Sequence, residues 1–206
     1  MTRDVLVEVR APLKLPLSVI ESFIQSKAGW ITIRLEKLMR EKSLREDFRL
    51  DYGTKILFCG NETQICFSEK SGYDRSCFYI PDGLGSAEIK REIIKIYKKA
   101  ARELFVAKTY ELAKLMQVSP TSIRITSAKT RWGSCSSQGN INFSWRLVMA
   151  DVEAVDYVIV HELAHIEHHD HSANFWGTIE RTLPDYKQRA EKLKQIQRRL
   201  SHEEWD

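Results

Sequence analysis

The sequence predicts an α+β fold, on three observations. Short runs rich in β-branched and aromatic residues, bounded by Gly, Asn and Asp, fill 55–80 and return at 122–126 and 140–143. Between them, 86–116 carries apolar residues at the spacing of a long helix. Finally, the apolar run Val158-Ile159-Val160 leads directly into a segment that holds five of the six histidines.

Each element follows in order. Val5-Leu6-Val7-Glu8-Val9-Arg10 alternates as a strand does, until Pro12 and Pro16 interrupt it. A helix capped by Ser18 comes next, with Ile20, Phe23, Ile24, Trp30, Ile31 and Leu38 as its apolar stripe and Arg40-Glu41-Lys42 leading into a polar link. Strands at 55–58 and 64–67 flank Gly60-Asn61 as a hairpin, and a third at 77–80 ends at the turn Pro81-Asp82-Gly83. That turn is the expected boundary between an N-terminal helix and β-hairpin region, 1–84, and a core formed by 85–206. The helix 86–116 buries Ile89, Ile93, Ile96, Ala100, Leu104, Tyr110 and Leu115. Strands at 122–126 and 140–143 then enclose a loop at 131–139, and Asp151 caps the helix that carries the histidines.

Composition narrows the class. A chain of 206 residues can bury one sizeable core or two small ones, and 43% hydrophobic with 29% charged residues is ordinary for a globular protein. No apolar stretch approaches the length of a membrane span, and the N-terminus lacks a hydrophobic signal core, so a cytoplasmic protein with no membrane partner is expected. The four cysteines, Cys59, Cys66, Cys77 and Cys135, form no Cys-x-x-Cys pair. Reduced, mostly buried thiols are the expected state.

The segment His161-Glu162-Leu163-Ala164-His165-Ile166-Glu167-His168-His169-Asp170-His171 reads as a zinc site. Helical residues four apart lie nearly above one another, so His161 and His165 point toward a shared position where both can take one Zn²⁺. Glu162 stands beside them, placed to act on water at the metal. A continued helix would put His168 about 10 Å along the axis from His161, whereas nitrogens on one tetrahedral zinc are about 3.3 to 3.4 Å apart. The chain is therefore expected to leave the helix near His169-Asp170, with Asp170 in a left-handed turn, and to return with His171 as third ligand. His168 is the reserve candidate. His168 and His169 otherwise serve as outer-shell donors or surface residues.

Further motifs extend the pattern: Thr130-Arg131-Trp132-Gly133-Ser134-Cys135-Ser136, Gly139-Asn140-Ile141-Asn142, Trp145-Arg146-Leu147, the run Asp156-Tyr157 through His165, His171-Ser172, Phe175-Trp176 and Pro184-Asp185-Tyr186. With them the chain resembles the YgjP-like metallopeptidase family, most densely over 123–193. The resemblance implies a zincin-like core, related to SprT-like and WLM domains, in 85–206. It also implies zinc held by His161, His165 and His171, with Glu162 as the catalytic residue and a peptide or protein as substrate. In such an architecture an edge strand binds extended peptide, and 140–143 is the expected edge.

Three neutral imidazoles leave the ion its full charge and an open position, which brings the pKa of bound water from 15.7 toward about 7. Glu162 then takes the proton and passes it to the leaving amine. Tyr186, Arg131 and His169 are candidates to stabilise the oxyanion. Cys135 as a thiol nucleophile or fourth ligand is a weaker alternative, because neither role uses Glu162. A net charge of +4, with basic residues concentrated on 90–102 and 187–199, keeps open a nucleic-acid-associated protein with a structural zinc, or a DNA-associated protease of the SprT-like kind. Glu88, Glu92, Glu103 and Glu191 interrupt those basic runs, which favours solvated helix faces. The sequence leaves oligomeric state open.

Overall fold

The computed structural model describes residues 6–74 and 76–205. These divide into a smaller unit, the described part of Met1–Phe48 with Arg199–Glu204, and a larger one, Arg49–Arg198 with Trp205. The division falls after Phe48, whereas the turn at 81–85 lies inside the larger unit.

In the smaller unit, residues 6–10 form no strand, and Val5 lies outside the described residues. The expected single helix is two, α1 (Leu17–Ser26) and α2 (Ala28–Glu46), separated at Lys27. Neither contains a buried residue, and Phe23 and Trp30 of the expected stripe are 60% and 65% exposed.

The larger unit holds two sheets. In the first, β1 (Lys55–Phe58), β2 (Asn61–Phe67), β3 (Gly72–Tyr73) and β4 (Cys77–Ile80) lie in the order β1-β2-β4-β3. β1 and β2 form the expected hairpin, and β4 runs parallel to β2. That pairing brings Cys66 and Cys77 together with Cα atoms 5.8 Å apart, within disulfide reach, and they are bonded. The expectation of four free thiols is corrected here: only Cys59 and Cys135 are free. Parallel pairing joins residues distant in the chain, so the spacing of the cysteines did not reveal it.

Across this sheet lies α3 (Ser86–Met116), whose Tyr97 is fully buried and donates its hydroxyl to Leu57 O at 2.6 Å. Its buried stripe starts as expected with Ile89, Ile93, Ile96 and Ala100, then passes through Ala101, Phe105, Thr109 and Ala113. Tyr110 and Leu115 are exposed instead, because the stripe advances in steps of four and so drifts around a helix of 3.6 residues per turn.

The second sheet has the order β5-β7-β6, with β5 (Ser122–Thr126), β6 (Gly133–Cys135) and β7 (Asn140–Ser144). β7 is parallel to β5 and antiparallel to β6. The expected substrate edge at 140–143 is therefore the centre of the sheet. The segment expected as a loop turns back at Gly139, whose φ of +74° suits a residue without a side chain, and its first part covers the flank of β7.

A 3-10 turn, Trp145–Met149, leads to α4 (Val152–Glu167). Val155, Val158, Ile159, Val160 and Leu163 of α4 are all buried, worth about 1.5 to 3 kcal/mol each relative to exposure. Asp151 is the N-cap residue as expected but makes no capping bond with its side chain. Its carboxylate is directed over Gly60 instead, where a Cβ would collide with Oδ1. Helices α5 (Ala173–Thr182) and α6 (Tyr186–Leu200) complete the unit, and Phe175 and Ile179 of α5 pack with Val160 and Ala164 of α4. Among the described residues no helix is long and apolar enough to cross a membrane.

Candidate metal centre

The site is built where α4 ends. Being apolar on most of its surface, α4 is held deep in the unit, and its last two turns carry His161, Glu162 and His165. The helix stops at Glu167, and His168 adopts an extended conformation (φ −126°, ψ 102°). Asp170 then accepts from Ser172 N at 3.1 Å, and Ser172 caps α5 by accepting from Phe175 N at 3.5 Å. His171 is thus held between two residues whose local bonds set the backbone. Asp170 does not use a left-handed conformation, since among the described residues only Cys59 and Gln117 combine positive φ with a side chain. The turn is made by its carboxylate.

His161, His165 and His171 converge, each offering one ligand atom, and these atoms all lie within 4.8 Å of one another. His171 Nε2 is 3.3 Å from His161 Nε2, and two nitrogens bound at about 2.0 to 2.1 Å to one tetrahedral zinc are separated by about 3.3 to 3.4 Å. His165 Nδ1 is 3.0 Å from His168 O. A carbonyl only accepts, so Nδ1 carries the proton and Nε2 keeps its lone pair for the site. Burial, together with His165 and His171, lowers the pKa of His161 to about 4, which keeps its ring neutral as ligation requires. Its Nδ1 is buried without a hydrogen-bond partner among the described residues. These donors fit a divalent metal ion of the zinc type. Among the described residues no fourth His, Cys, Asp or Glu joins the cluster.

Glu162 is 6% exposed and directed against Gly133 of β6. A Cβ on Gly133 would lie 2.5 Å from Glu162 Oε1, so only glycine admits the carboxylate there. Burial raises the pKa of Glu162 to about 7, partly offset by the Arg131 guanidinium. The bonds Ser144 N to Trp132 O and Ser136 N to Asn140 O fix which β6 groups face β7. By alternation, the N–H and C=O of Gly133 and Cys135 point outward from the sheet. This free edge, beside Glu162, is the one the sequence misassigned.

The other candidates lie around this centre. Arg131 is exposed within electrostatic reach of Glu162. Tyr186 stacks on Trp176 and Tyr157, with centroids 5.7 and 6.5 Å away, and Trp176 stacks on His171 at 5.8 Å. His169 is exposed, and the His168 ring is bonded to Thr178 outside the cluster. Burial and Glu162 push the Cys135 thiol up to about 11, which opposes the thiolate a nucleophile needs. Sequence reasoning overlooked Tyr157, whose ring meets His161 edge-on at 6.0 Å and whose hydroxyl pKa is raised by burial, Tyr186 and Glu162. Its position four residues before His161 was the available signal.

Comparison with known proteins agrees with this chemistry. The model of the YgjP-like metallopeptidase domain matches residues 1–196, and the chain belongs to that family. It is a metallopeptidase, an enzyme acting on peptides or proteins. Among solved structures it is similar to the metallopeptidase zymogen of Pyrococcus abyssi abylysin, at 20% identity over 48% of this chain and 97% of that one, with a TM-score of 0.42. No curated protein matches it.

Proposed function

We propose that this metallopeptidase is zinc-dependent, with His161, His165 and His171 as the ligands and Glu162 as general base and acid. The observation that carries the reading is the 3.3 Å separation of the His161 and His171 Nε2 atoms, with His165 Nε2 freed by the bond at its other nitrogen. When bound, the ion supplies a Lewis acid that acidifies water and polarises a carbonyl. Glu162 takes a proton on its carboxylate as water attacks the peptide and returns it to the leaving amine. Without a metal, burial raises its pKa to about 7, and a neighbouring cation would favour the ionised form that first accepts the proton. Gly133 leaves room for that carboxylate, and the outward N–H and C=O groups of Gly133 and Cys135 bind the substrate as an added antiparallel or parallel strand. Arg131 and Tyr157 supply polar groups within reach of Glu162.

Replacing Glu162 by Gln tests the assignment. Cleavage in a peptide-library screen should fall by roughly 10²- to 10⁴-fold while elemental analysis still finds one zinc per chain. Normal turnover in E162Q would overturn it.

A further inference from the structure

Thr178 of α5 is 6% exposed, and its hydroxyl meets two side chains. Arg181 Nη2 donates to Oγ1 at 3.0 Å, and His168 Nε2 lies 3.3 Å from the same oxygen. Arg181 can only donate, so it occupies one lone pair of Oγ1, and the hydroxyl meets the imidazole as donor or as acceptor according to the His168 tautomer. His168 is where α4 ends. Its N–H still bonds Ala164 O at 3.0 Å, as in the helix. Were its carbonyl helical as well, it would point along the axis away from His165. The extended backbone at His168 instead turns that carbonyl onto His165 Nδ1 at 3.0 Å. The side chain that anchors this exit to α5 is therefore three residues from one candidate ligand and three from the next, with His165 behind it and His171 ahead.

We infer that Thr178, braced by Arg181, is a positioning residue for the metal centre. By holding the His168 ring it keeps the His168 carbonyl on His165 Nδ1, which fixes the tautomer and the ring plane of His165, and it directs the turn that delivers His171. This rests on the proposed three-histidine site. A contact that merely packed α5 against α4 would contribute to stability alone, whereas a bond that orients ligands contributes to metal affinity, by 10- to 100-fold in outer-shell cases.

Metal affinity separates the two. Zn²⁺ binding is measured by competition with a chromophoric chelator, Co²⁺ binding by its visible spectrum, and the melting temperature of the metal-free protein in parallel. T178V keeps the shape and loses the hydroxyl, T178S keeps the hydroxyl, and H168A removes the ring at a less buried position. T178V and H168A should each bind Zn²⁺ at least about tenfold more weakly, with an altered Co²⁺ spectrum, while T178S binds as wild type. The metal-free melting temperature of H168A should match that of wild type. Wild-type affinity and spectrum in T178V and H168A would overturn the positioning role and leave the metal site standing. Wild-type protein that binds neither ion would overturn the site itself, and the positioning role with it.

Discussion

Glu162 and Gly133 form a pair in which one residue's chemistry depends on the other's lack of a side chain. The carboxylate occupies the space where a Cβ would stand, with Oε1 2.5 Å from that position, and Glu162 itself is buried. Substituting Gly133 by Ala must push the carboxylate aside. A displacement of about 1 Å at a reacting group costs on the order of 10²-fold in rate. G133A should therefore lose activity by about that factor, while the zinc content proposed for the three histidines stays at wild-type level by elemental analysis. Equal losses of zinc and activity would show that Gly133 supports the fold of the site rather than the placement of its base.

Within the second sheet, β6 had the weakest trace in the sequence. Three residues are too few to display alternation, and Trp132-Gly133-Ser134-Cys135 reads as a loop between two clearer strands. Only its pairing with β7 turns it into an edge and moves β7 to the centre. If substrate binds as an added strand, the Cys135 N–H is one of its donors. Proline is tolerated on an edge strand where the N–H faces outward, so C135P should fold, retain zinc, and raise KM for extended peptides by roughly tenfold, the equivalent of one hydrogen bond. Unchanged KM in a folded C135P would exclude that edge as the substrate track. The end of α4 was more legible. Its histidine spacing required the chain to leave the helix and return, and it does so, although by an Asp170 side-chain bond rather than by a left-handed residue.

For the larger unit as a whole, the proposed metal site links metal binding to stability. An ion that binds the folded chain and not the unfolded one stabilises it by about 2.7 kcal/mol at a free concentration of 100 Kd. For a unit of this size that corresponds to a rise of roughly 5 to 10 °C in melting temperature. Dialysis against a chelator should lower the melting temperature by that amount and abolish cleavage, and stoichiometric Zn²⁺ should restore both. A triple variant with His161, His165 and His171 replaced by Ala should show no thermal response to Zn²⁺. Persisting activity in fully chelated protein would remove the metal from the reaction.

Helical periodicity and motif spacing alone established the α+β class, the long helix, and a histidine cluster in which the third partner had to come from beyond the helix, because those are local properties of 3.6-residue and two-residue repeats. Long-range pairing decided the rest: which strand is the free edge, that Cys66 meets Cys77, that Gly133 lies against Glu162, and that Thr178 reaches back to His168. Such contacts join positions separated by many residues. Nothing in local propensity encodes them until the sheets and helices have packed.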